Sequence, residues 1–350
     1  MADNKKLKNA KAEKNDEFYT EYNTISDEMG HYRKQFEEQV VYCNCDDPEW
    51  SNFWRYFHSN FGSLKLKKLI CTHYQREAGA SSYALIYEGG DDFNMEAGYT
   101  VPIQGNGDYN AGDFRSDACI ELLKESTIVT TNPPFSLFRE YVAQLFKHEK
   151  KFIIIGNQNA VTTKEIFPLF KENKVWYGQS LHGQRIEFRV PDDYPLLNST
   201  NRVDEKGNKY IRINGGVRWF TNLDVKYRHD GLWHRNGEFD NTQAHYYYEG
   251  NENRYPQYDN YLAINVDATK EIPIDYEGVM GVPITWLDKY SPLEFTIIGM
   301  TASWDETSEM SQIKTSQRRR HNPLISGKEV YRRILIRNLH PVSKAEDKGY

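Results

Sequence analysis

The chain has 350 residues, of which 39% are hydrophobic and 27% charged, as in globular proteins that form one large domain or two. Its formal net charge of −6 excludes a uniformly basic surface, so any contact with nucleic acid must be confined to a local patch. No apolar run has the length of a membrane span and no secretory segment is recognisable, so we expect no membrane contact.

The cysteines indicate a reducing compartment. None forms a Cys-x-x-Cys pair or adjoins a histidine cluster, so neither a metal site nor a disulfide framework is predicted. The four residues are Cys43, Cys45, Cys71 and Cys119. Together with the lack of a secretory segment, they predict a cytoplasmic protein.

Two basic segments are candidates for contact with nucleic acid. Residues 1–15 contain several lysines, including Lys5 and Lys6, and lack apolar periodicity, so they are predicted to form a flexible basic arm. Arg318, Arg319 and Arg320 form a second local patch. A solvated surface without a partner is the alternative for both segments.

A first helix is predicted where large apolar residues recur at helical spacing. They are Ile25, Met29, Tyr32 and Phe36. Phe18-Tyr19-Thr20 precedes this helix, with two aromatic residues before it rather than on its buried face. These could form a hydrophobic staple or the roof of a small-molecule pocket, and taken alone the pattern favours the staple.

The first strand, at residues 39–45, brings acidic groups to one edge of the predicted sheet. It ends at Asp46-Asp47-Pro48, and Asp47 is predicted to cap the next helix with Pro48 at its first position. Capping does not explain Asp46. Because no glycine-rich phosphate loop is present, a ligand at either carboxylate would be cationic or would carry hydroxyl groups.

Two more strands are predicted at residues 68–74 and 83–87, followed by a loop or hairpin over residues 89–112. Asp113-Phe114 then precedes a short helix. A carboxylate can accept a hydrogen bond from a ring amine while the neighbouring phenyl ring stacks on that ring. This pair is therefore a candidate contact for a planar ligand.

The most informative stretch is the β-branched run at residues 128–131 with Asn132-Pro133-Pro134-Phe135 directly after it. Apolar residues at helical spacing follow, which predicts a strand, a rigid turn and a helix. Open α/β sheets bind their ligands at such strand ends. The alternative is a Pro-Pro turn that only ends a strand.

The atoms of this turn suit an exocyclic amine. Asn132 precedes a proline and is biased to extended backbone, so its neutral amide oxygen stands at the strand end beside the carbonyl of Pro133. Two acceptors can take both N–H bonds of an amino group and direct its lone pair at an electrophile. Phe135 offers a ring face for stacking. The turn therefore predicts group transfer to an amine without a covalent nucleophile.

Strands continue to alternate with helices through a buried run at residues 152–159, which predicts an α/β fold with a doubly wound, mostly parallel sheet. Residues 175–225 are expected to complete that sheet. Short β-like runs rich in tyrosine, asparagine and glycine follow, and they predict a β-rich C-terminal region.

Together these motifs resemble those of the amino-methyltransferases that use S-adenosylmethionine. Their catalytic signature is similar to Asn132-Pro133-Pro134-Phe135, their methionine-end element to Phe18-Tyr19-Thr20, and their adenine-binding pair to Asp113-Phe114. The motif order is that of the γ-type enzymes. More narrowly, the chain resembles the EcoRI-type adenine-specific DNA methyltransferase family over residues 41–48, 51–53, 112–135, 156–159 and 278–290.

The resemblance implies a Rossmann-like fold and methyl transfer to N6 of an adenine flipped out of double-stranded DNA. The Asn132 to Phe135 turn would be catalytic, and Trp219 and Phe220 would stack on the other face of the base. Residues 16–225 would form the catalytic domain and 226–350 a target-recognition region partly packed on it. A bacterial or phage-encoded monomer is expected.

The resemblance also assigns the first-loop residues Cys43, Asp46 and Asp47 to the cofactor. The glycine-rich loop of the wider superfamily is replaced here by Cys-Asn-Cys-Asp-Asp-Pro, and no acidic residue clearly ends the second strand, so ribose contacts stay unassigned.

Three other functions are compatible with the same motifs. A protein glutamine amide presents an amino group similar to that of adenine, and an adenine in RNA presents the same one. A non-catalytic DNA-binding protein could also keep this fold. The intact turn argues against loss of activity, and the length of the C-terminal region argues against a peptide substrate.

Overall fold

The computed structural model describes residues 18–75, 79–190, 194–196, 201–235, 238–239, 245–302, 307–315 and 322–343. The predicted basic segments, with Lys5, Lys6, Arg318, Arg319 and Arg320, lie outside these residues. The helices are α1 (Tyr22–Met29), α2 (Asn52–Ser59), α3 (Asp117–Glu125), α4 (Phe138–Lys147), α5 (Phe167–Lys171), α6 (Tyr227–Asp230) and α7 (Ser308–Ile313).

The strands, in chain order, are β1 (Tyr19–Thr20), β2 (Val40–Cys43), β3 (Lys68–Thr72), β4 (Ser82–Tyr87), β5 (Tyr99–Ile103), β6 (Ile128–Thr131), β7 (Lys151–Asn157), β8 (Trp176–Tyr177), β9 (Arg185–Val190), β10 (Arg202–Val203), β11 (Lys209–Asn214), β12 (Val217–Thr221), β13 (His234–Arg235), β14 (Glu238–Phe239), β15 (Ile264–Asn265), β16 (Val279–Val282), β17 (Phe295–Met300), β18 (Leu324–Ile325), β19 (Lys328–Glu329) and β20 (Ile334–Asn338). Within the described residues, eight of them form one sheet in the order β5-β4-β3-β2-β6-β7-β12-β8.

This α/β sheet is mixed, which corrects the prediction of a mostly parallel one. β3, β2, β6 and β7 are parallel neighbours. Beyond them, β4 and β5 pair antiparallel next to β3, and β12 pairs antiparallel with β7. β3, β4 and β5 follow one another along the chain without a helical crossover, and direct connections of this kind join antiparallel strands.

The parallel strands were predictable because they are buried on both faces. Every residue of β2 and of β6 is buried, and β7 is buried from Phe152 to Gly156. Strands covered on both faces read as continuous apolar runs rather than as alternating ones. The runs at residues 39–45, 128–131 and 152–159 therefore mark the centre of the sheet.

The sheet has a switch point between β2 and β6. The chain passes from β2 to β3 on one side, and after β4 and β5 it returns to β6 on the other side. Loops that leave two such strands diverge at their carboxyl ends, which opens a crevice for a ligand. Asp46 follows β2 at this edge, and Asn132 follows β6.

A second sheet, in the order β1-β9-β11-β10, holds the segment before α1. Tyr19 and Thr20 pair with Arg189 and Phe188 of β9. The favoured staple interpretation of Phe18-Tyr19-Thr20 is wrong, because the N-cap of α1 is Glu21 and the residue directly before it is Thr20 rather than an aromatic residue. Residues 175–225 contribute β8 and β12 to the large sheet, whereas β9 to β11 build this smaller one.

The chain divides into two compact units, residues 1–160 with 177–224 and residues 161–176 with 225–350. The second unit contains a sheet in the order β15-β16-β20-β17, in which β15 and β16 are parallel and the other pairs antiparallel. Its described core includes Tyr258, Tyr261, Ile298, Met310 and Leu335. The assignment of residues 16–225 to catalysis and 226–350 to target recognition stays a prediction.

Helix α2 begins later than predicted. Its N-cap is Ser51, whose hydroxyl accepts hydrogen bonds from the N–H groups of Phe53 and Trp54. The prediction that Asp47 caps this helix is wrong. Asp47 instead accepts a hydrogen bond from the Glu49 N–H in a turn before the helix, as short polar side chains do in tight turns.

Replacement of Ser51 by alanine should lower the free energy of unfolding by about 1 kcal/mol, because two N–H groups at the helix start lose their acceptor. A urea titration followed by circular dichroism measures the change. Ser59→Ala is the matched control, since Ser59 is exposed at the other end of the same helix. An equal loss in both variants would contradict the capping role of Ser51.

Candidate functional site

The Asn-Pro-Pro-Phe turn, residues 132–135, leaves the buried end of β6. Asn132 and Pro133 are buried, whereas Pro134 and Phe135 are half-buried. A short 3-10 turn at Phe135–Leu137 leads directly into α4. The predicted order of strand, rigid turn and helix is present, and it places Asn132 at the switch point of the sheet.

The side-chain amide of Asn132 is fixed by its nitrogen. Nδ2 donates a hydrogen bond of 2.6 Å to the backbone carbonyl of Phe18. A carbonyl oxygen can only accept, so the other end of the amide must be the oxygen. Oδ1 is buried and has no hydrogen-bond partner among the described residues. The site therefore presents an acceptor that is desolvated and unused, and buried polar atoms of this kind are rare.

Asp46 connects the loop after β2 to the start of the turn. Its Oδ2 accepts hydrogen bonds from Thr131 Oγ1 at 2.5 Å and from the Asn132 N–H at 3.3 Å. Thr131 Oγ1 in turn accepts from the Cys45 N–H at 3.2 Å. Burial raises the pKa of Asp46 to about 7, although these hydrogen bonds act in the opposite direction. Asp46, which was expected to contact the cofactor, thus binds other residues of the protein.

Phe18 and Thr20 bring the N-terminal element to the turn. The Phe18 ring lies edge-on to Phe135, with 5.6 Å between centroids, and 5.7 Å from the ring of Phe188. Thr20 is buried, its carbonyl accepts from Asn52 Nδ2, and within the described residues its hydroxyl has no partner. This element and the turn, far apart in sequence, are neighbours.

The last residue of β2 and the residues after it mostly make contacts within the protein core. Cys43 is buried, with its sulfur 3.7 Å from Thr130 Oγ1, and burial raises the pKa of its thiol. Asn44 Oδ1 accepts from the Tyr141 hydroxyl, while its Nδ2 is buried with no partner in the described part of the chain. Asp47 Oδ2 lies 3.4 Å from His73 Nε2, and burial raises the pKa of this carboxyl group.

Asp113 is paired with a neighbouring cation. Its Oδ1 accepts from the N–H and Nε of Arg115, both at 2.9 Å, and its Oδ2 accepts from Nη2 at 2.8 Å. A carboxylate has about four acceptor positions, so the hydrogen bonds among the described residues leave one position on Oδ2 for a further donor. The preceding Gly112 has φ +82°, and a Cβ there would lie 2.0 Å from the His73 carbonyl, so only glycine permits this approach.

Phe114 contributes to the core. Its ring is buried and lies edge-on to Tyr141 at 5.0 Å, and its carbonyl accepts from Gln144 Nε2. The structure therefore brings Asp113 and Phe114 to the carboxyl side of the sheet, but the phenyl ring packs against α4.

Trp219 and Phe220 do not have the predicted position. Both are fully buried in β12, where Trp219 lies edge-on to Phe53 and Phe220 to Phe138. Neither ring has a free face for a base in this structure, which corrects the stacking assignment. The reason is that β12 is buried on both faces, so successive aromatic residues enter opposite layers of the core.

Sequence reasoning missed the polar partners of the turn. Thr131, Asn44 and the carbonyl of Phe18 all contact it or the loop beside it, and none was singled out. A threonine directly before Asn-Pro was the available signal for Thr131. Backbone carbonyls such as that of Phe18 leave no signal in a sequence.

The described residues contain neither a cluster of metal-binding side chains nor a membrane-spanning helix. In the ranges that the structure covers, no group of three or more His, Cys, Asp and Glu side chains is arranged to hold a metal ion. Across the same part of the chain, no helix is both long and apolar enough to cross a membrane.

Comparison with known proteins identifies the family to which this chain belongs. The type II methyltransferase M.EcoRI of Escherichia coli is 46% identical over 342 residues, which cover 96% of this chain and 97% of that protein. The type II methyltransferase M.MpnI of Mycoplasma pneumoniae is 37% identical over 332 residues, 94% of this chain and 96% of its own. A relative in Mycoplasma genitalium, M.MgeORF184P, is 36% identical over 333 residues, 94% of this chain and 97% of its own.

No solved structure matches the chain. A family model described as the adenine-specific methyltransferase EcoRI matches residues 6–339, which include both units and the whole of the Asn-Pro-Pro-Phe turn. With an Asn-Pro-Pro-Phe turn at its switch point and this match over nearly its full length, the chain belongs to the EcoRI family of adenine-specific methyltransferases.

Proposed function

We propose that the protein transfers a methyl group from S-adenosylmethionine to N6 of an adenine flipped out of double-stranded DNA. The observation that carries the proposal is the buried Oδ1 of Asn132, which has no hydrogen-bond partner in the described part of the chain and is held in place by the bond from Nδ2 to Phe18. An adenine amino group is the donor that this acceptor lacks. Stacked bases cannot reach such a pocket, so the target must leave the duplex at a cost of about a few kcal/mol.

The turn would work by orientation. Asn132 Oδ1 and the Pro133 carbonyl would each accept one N6 proton, which fixes the amine and increases electron density on its nitrogen. The two hydrogen bonds would draw the nitrogen lone pair out of conjugation with the ring and toward the methyl donor. Neither acceptor is a base, so the N–C bond would form as the S–C bond breaks, and the surplus N6 proton would then be released to water. Phe135 is half-buried and would stack on the base. Positioning of this kind can lower a barrier by several kcal/mol.

The cofactor fits the donors and acceptors that the site leaves unused. Within the described residues, buried polar atoms without a partner include Thr20 Oγ1 and Asn44 Nδ2, next to the N-terminal element and the first loop. When bound, S-adenosylmethionine supplies an electrophilic methyl group on a sulfonium sulfur. Phe18, Tyr19 and Thr20 would line its methionine end.

Asp113 would hold the adenine of the cofactor through the free position on Oδ2, with Arg115 fixing the carboxylate. Phe114 would form the wall of this subsite through its buried ring. Cys43 and Asp47 are the remaining first-loop candidates. The fold would then be a variant of the Rossmann-like methyltransferase fold, with two antiparallel strands added next to β3.

The remaining assignments complete the proposal. Residues 226–350 would recognise the target sequence. Lys5, Lys6, Arg318, Arg319 and Arg320 would contact phosphates, as local basic patches do on an acidic protein. The enzyme would act as a monomer in the bacterial cytoplasm, and its four free cysteines fit a reducing compartment.

Asn132→Ala should reduce methyl transfer by about 100-fold or more, because the amine loses the acceptor that orients it. Tritiated S-adenosylmethionine and unmethylated duplex DNA, followed by nucleoside analysis, measure the product. Cofactor affinity measured by calorimetry should change little.

The matched control is Asn94→Ala, since Asn94 lies exposed in a loop of the same unit. Wild-type activity in the Asn132 variant would refute the role of the turn. If the wild-type enzyme labels RNA but not DNA, the substrate is RNA rather than DNA.

Asp113→Ala should weaken cofactor binding by about tenfold, because one hydrogen bond to the ligand and the fixed position of Arg115 are both lost. Calorimetric titration with S-adenosylhomocysteine measures the affinity without turnover. Asp108→Ala, in the exposed loop before it, serves as control. Equal affinity of the Asp113 variant and the wild type would remove Asp113 from the cofactor site.

A further inference from the structure

We propose that Asp46 is a positioning residue for the reaction: its carboxylate holds Thr131 and the backbone of Asn132 so that the Asn132 amide meets the substrate amine in one orientation. The inference rests on the proposed function of the Asn-Pro-Pro-Phe turn. It replaces the expected cofactor contact of Asp46 by a contact with the catalytic turn.

The pairing of β6 stops earlier on its β2 side than on its β7 side. β2 and β6 pair at Val41 with Ile128 and at Tyr42 with Val129. On its other side β6 stays paired with β7 as far as Thr131, which lies opposite Ile154. On the β2 side, therefore, the last residues before the turn have no strand partner in the ladder.

The carboxylate of Asp46 occupies that gap. One of its oxygens accepts hydrogen bonds from both the Thr131 hydroxyl and the Asn132 N–H. The oxygen of the same hydroxyl accepts a hydrogen bond from the Cys45 N–H, which connects the loop after β2 to Thr131 a second time. Asp46 also has a hydrogen bond with Ser51, the N-cap of α2. The turn is thus fixed to the loop after β2 and, through it, to a helix start.

The charge of Asp46 sets the strength of this contact. Hydrogen bonds to an ionised carboxylate are roughly twice as strong as those between neutral groups, so a protonated carboxyl group or an amide at this position would hold Thr131 and Asn132 more weakly. The titratable groups that face Asp46 are Asp47, Cys43, Cys45, Cys71 and Tyr141.

Burial raises the pKa of each of the three thiols and of the Tyr141 hydroxyl, so these groups stay neutral. Asp47 is the one acid among them, and its charge raises the pKa of Asp46 further beyond the effect of burial. Because the folded pKa is about 7, the ionised form is lost as the pH falls below neutrality.

The test measures three properties of Asp46→Asn: the rate of DNA methylation, the affinity for S-adenosylhomocysteine and the pH dependence of that rate. We expect the single-turnover rate of DNA methylation to fall at least tenfold, while affinity for S-adenosylhomocysteine stays within twofold. The wild-type rate should rise between pH 6 and pH 8 with an apparent pKa near 7. The rate of the variant should be flat over that interval.

Two controls separate positioning from loss of stability. Glu28→Gln alters another fully buried carboxylate, which accepts from the N–H groups of Gln179 and Ser180, and should leave the pH profile of the rate unchanged. Thr221→Val alters a buried threonine that donates to the Phe152 carbonyl in the same sheet, and should leave the rate unchanged.

Thr131→Val tests the same contact from its other side. We expect a similar loss of rate, and the double variant with Asp46→Asn should be no slower than the slower single variant, because both changes break one link. If Asp46→Asn does not fold, Thr131→Val decides: a reduced rate with intact cofactor affinity supports the proposal, and a wild-type rate overturns it.

Other outcomes also overturn the proposal. A parallel fall of rate and cofactor affinity in Asp46→Asn would make Asp46 a cofactor ligand, and a pH profile identical to that of the wild type would remove its charge from the reaction. Failure of the proposed function is seen separately, as wild-type activity in Asn132→Ala.

Discussion

The hydrogen bonds between the loop after β2 and the turn after β6 are the constraint on which the candidate site depends. At the switch point of an open sheet the two strands must part, so the backbone ladder cannot hold what comes next. Here the ladder between them ends at Tyr42 and Val129. Beyond that point Asp46 holds Thr131 and the backbone of Asn132 through hydrogen bonds.

Buried carboxylates hold loops elsewhere in the molecule as well. In the first unit Glu28 is fully buried and accepts from the N–H groups of Gln179 and Ser180. In the second unit Glu294 accepts from the N–H groups of Leu232 and Trp233. Burying a charge is costly, and several charge-assisted hydrogen bonds offset that cost. In each case a buried acid accepts backbone N–H groups from a segment that is distant in the sequence.

Much of the fold could be read from the sequence because the central strands are buried on both faces. The continuous apolar runs of β2, β6 and β7 gave their positions, and the apolar spacing gave α4. Strand direction could not be read, since the antiparallel β4 has an apolar run like those of the parallel strands, and the edge strand β5 was predicted only as part of a loop or hairpin. The start of α2 was misplaced because Asp47 and Ser51 are both good N-cap residues.

The candidate site was predictable where the chemistry lies within one short segment. The Asn-Pro-Pro-Phe turn carries its acceptors on adjacent residues, so the sequence alone suggested an amine. The link from Asn132 to Phe18 spans 114 residues and ends on a backbone atom, so no local pattern indicates it. Trp219 and Phe220 failed as base contacts because adjacent aromatic residues do not reveal that their strand is covered on both faces.

The bond from Asn132 to the Phe18 carbonyl has a consequence for how the protein tolerates change. Every amino acid has that carbonyl, so no side-chain substitution at position 18 can delete the acceptor, and mutational scanning would pass over it. Removal or insertion of one residue in β1 is different, because successive residues of a strand face opposite ways. The segment before α1 is thus constrained in its length and register as well as in its composition.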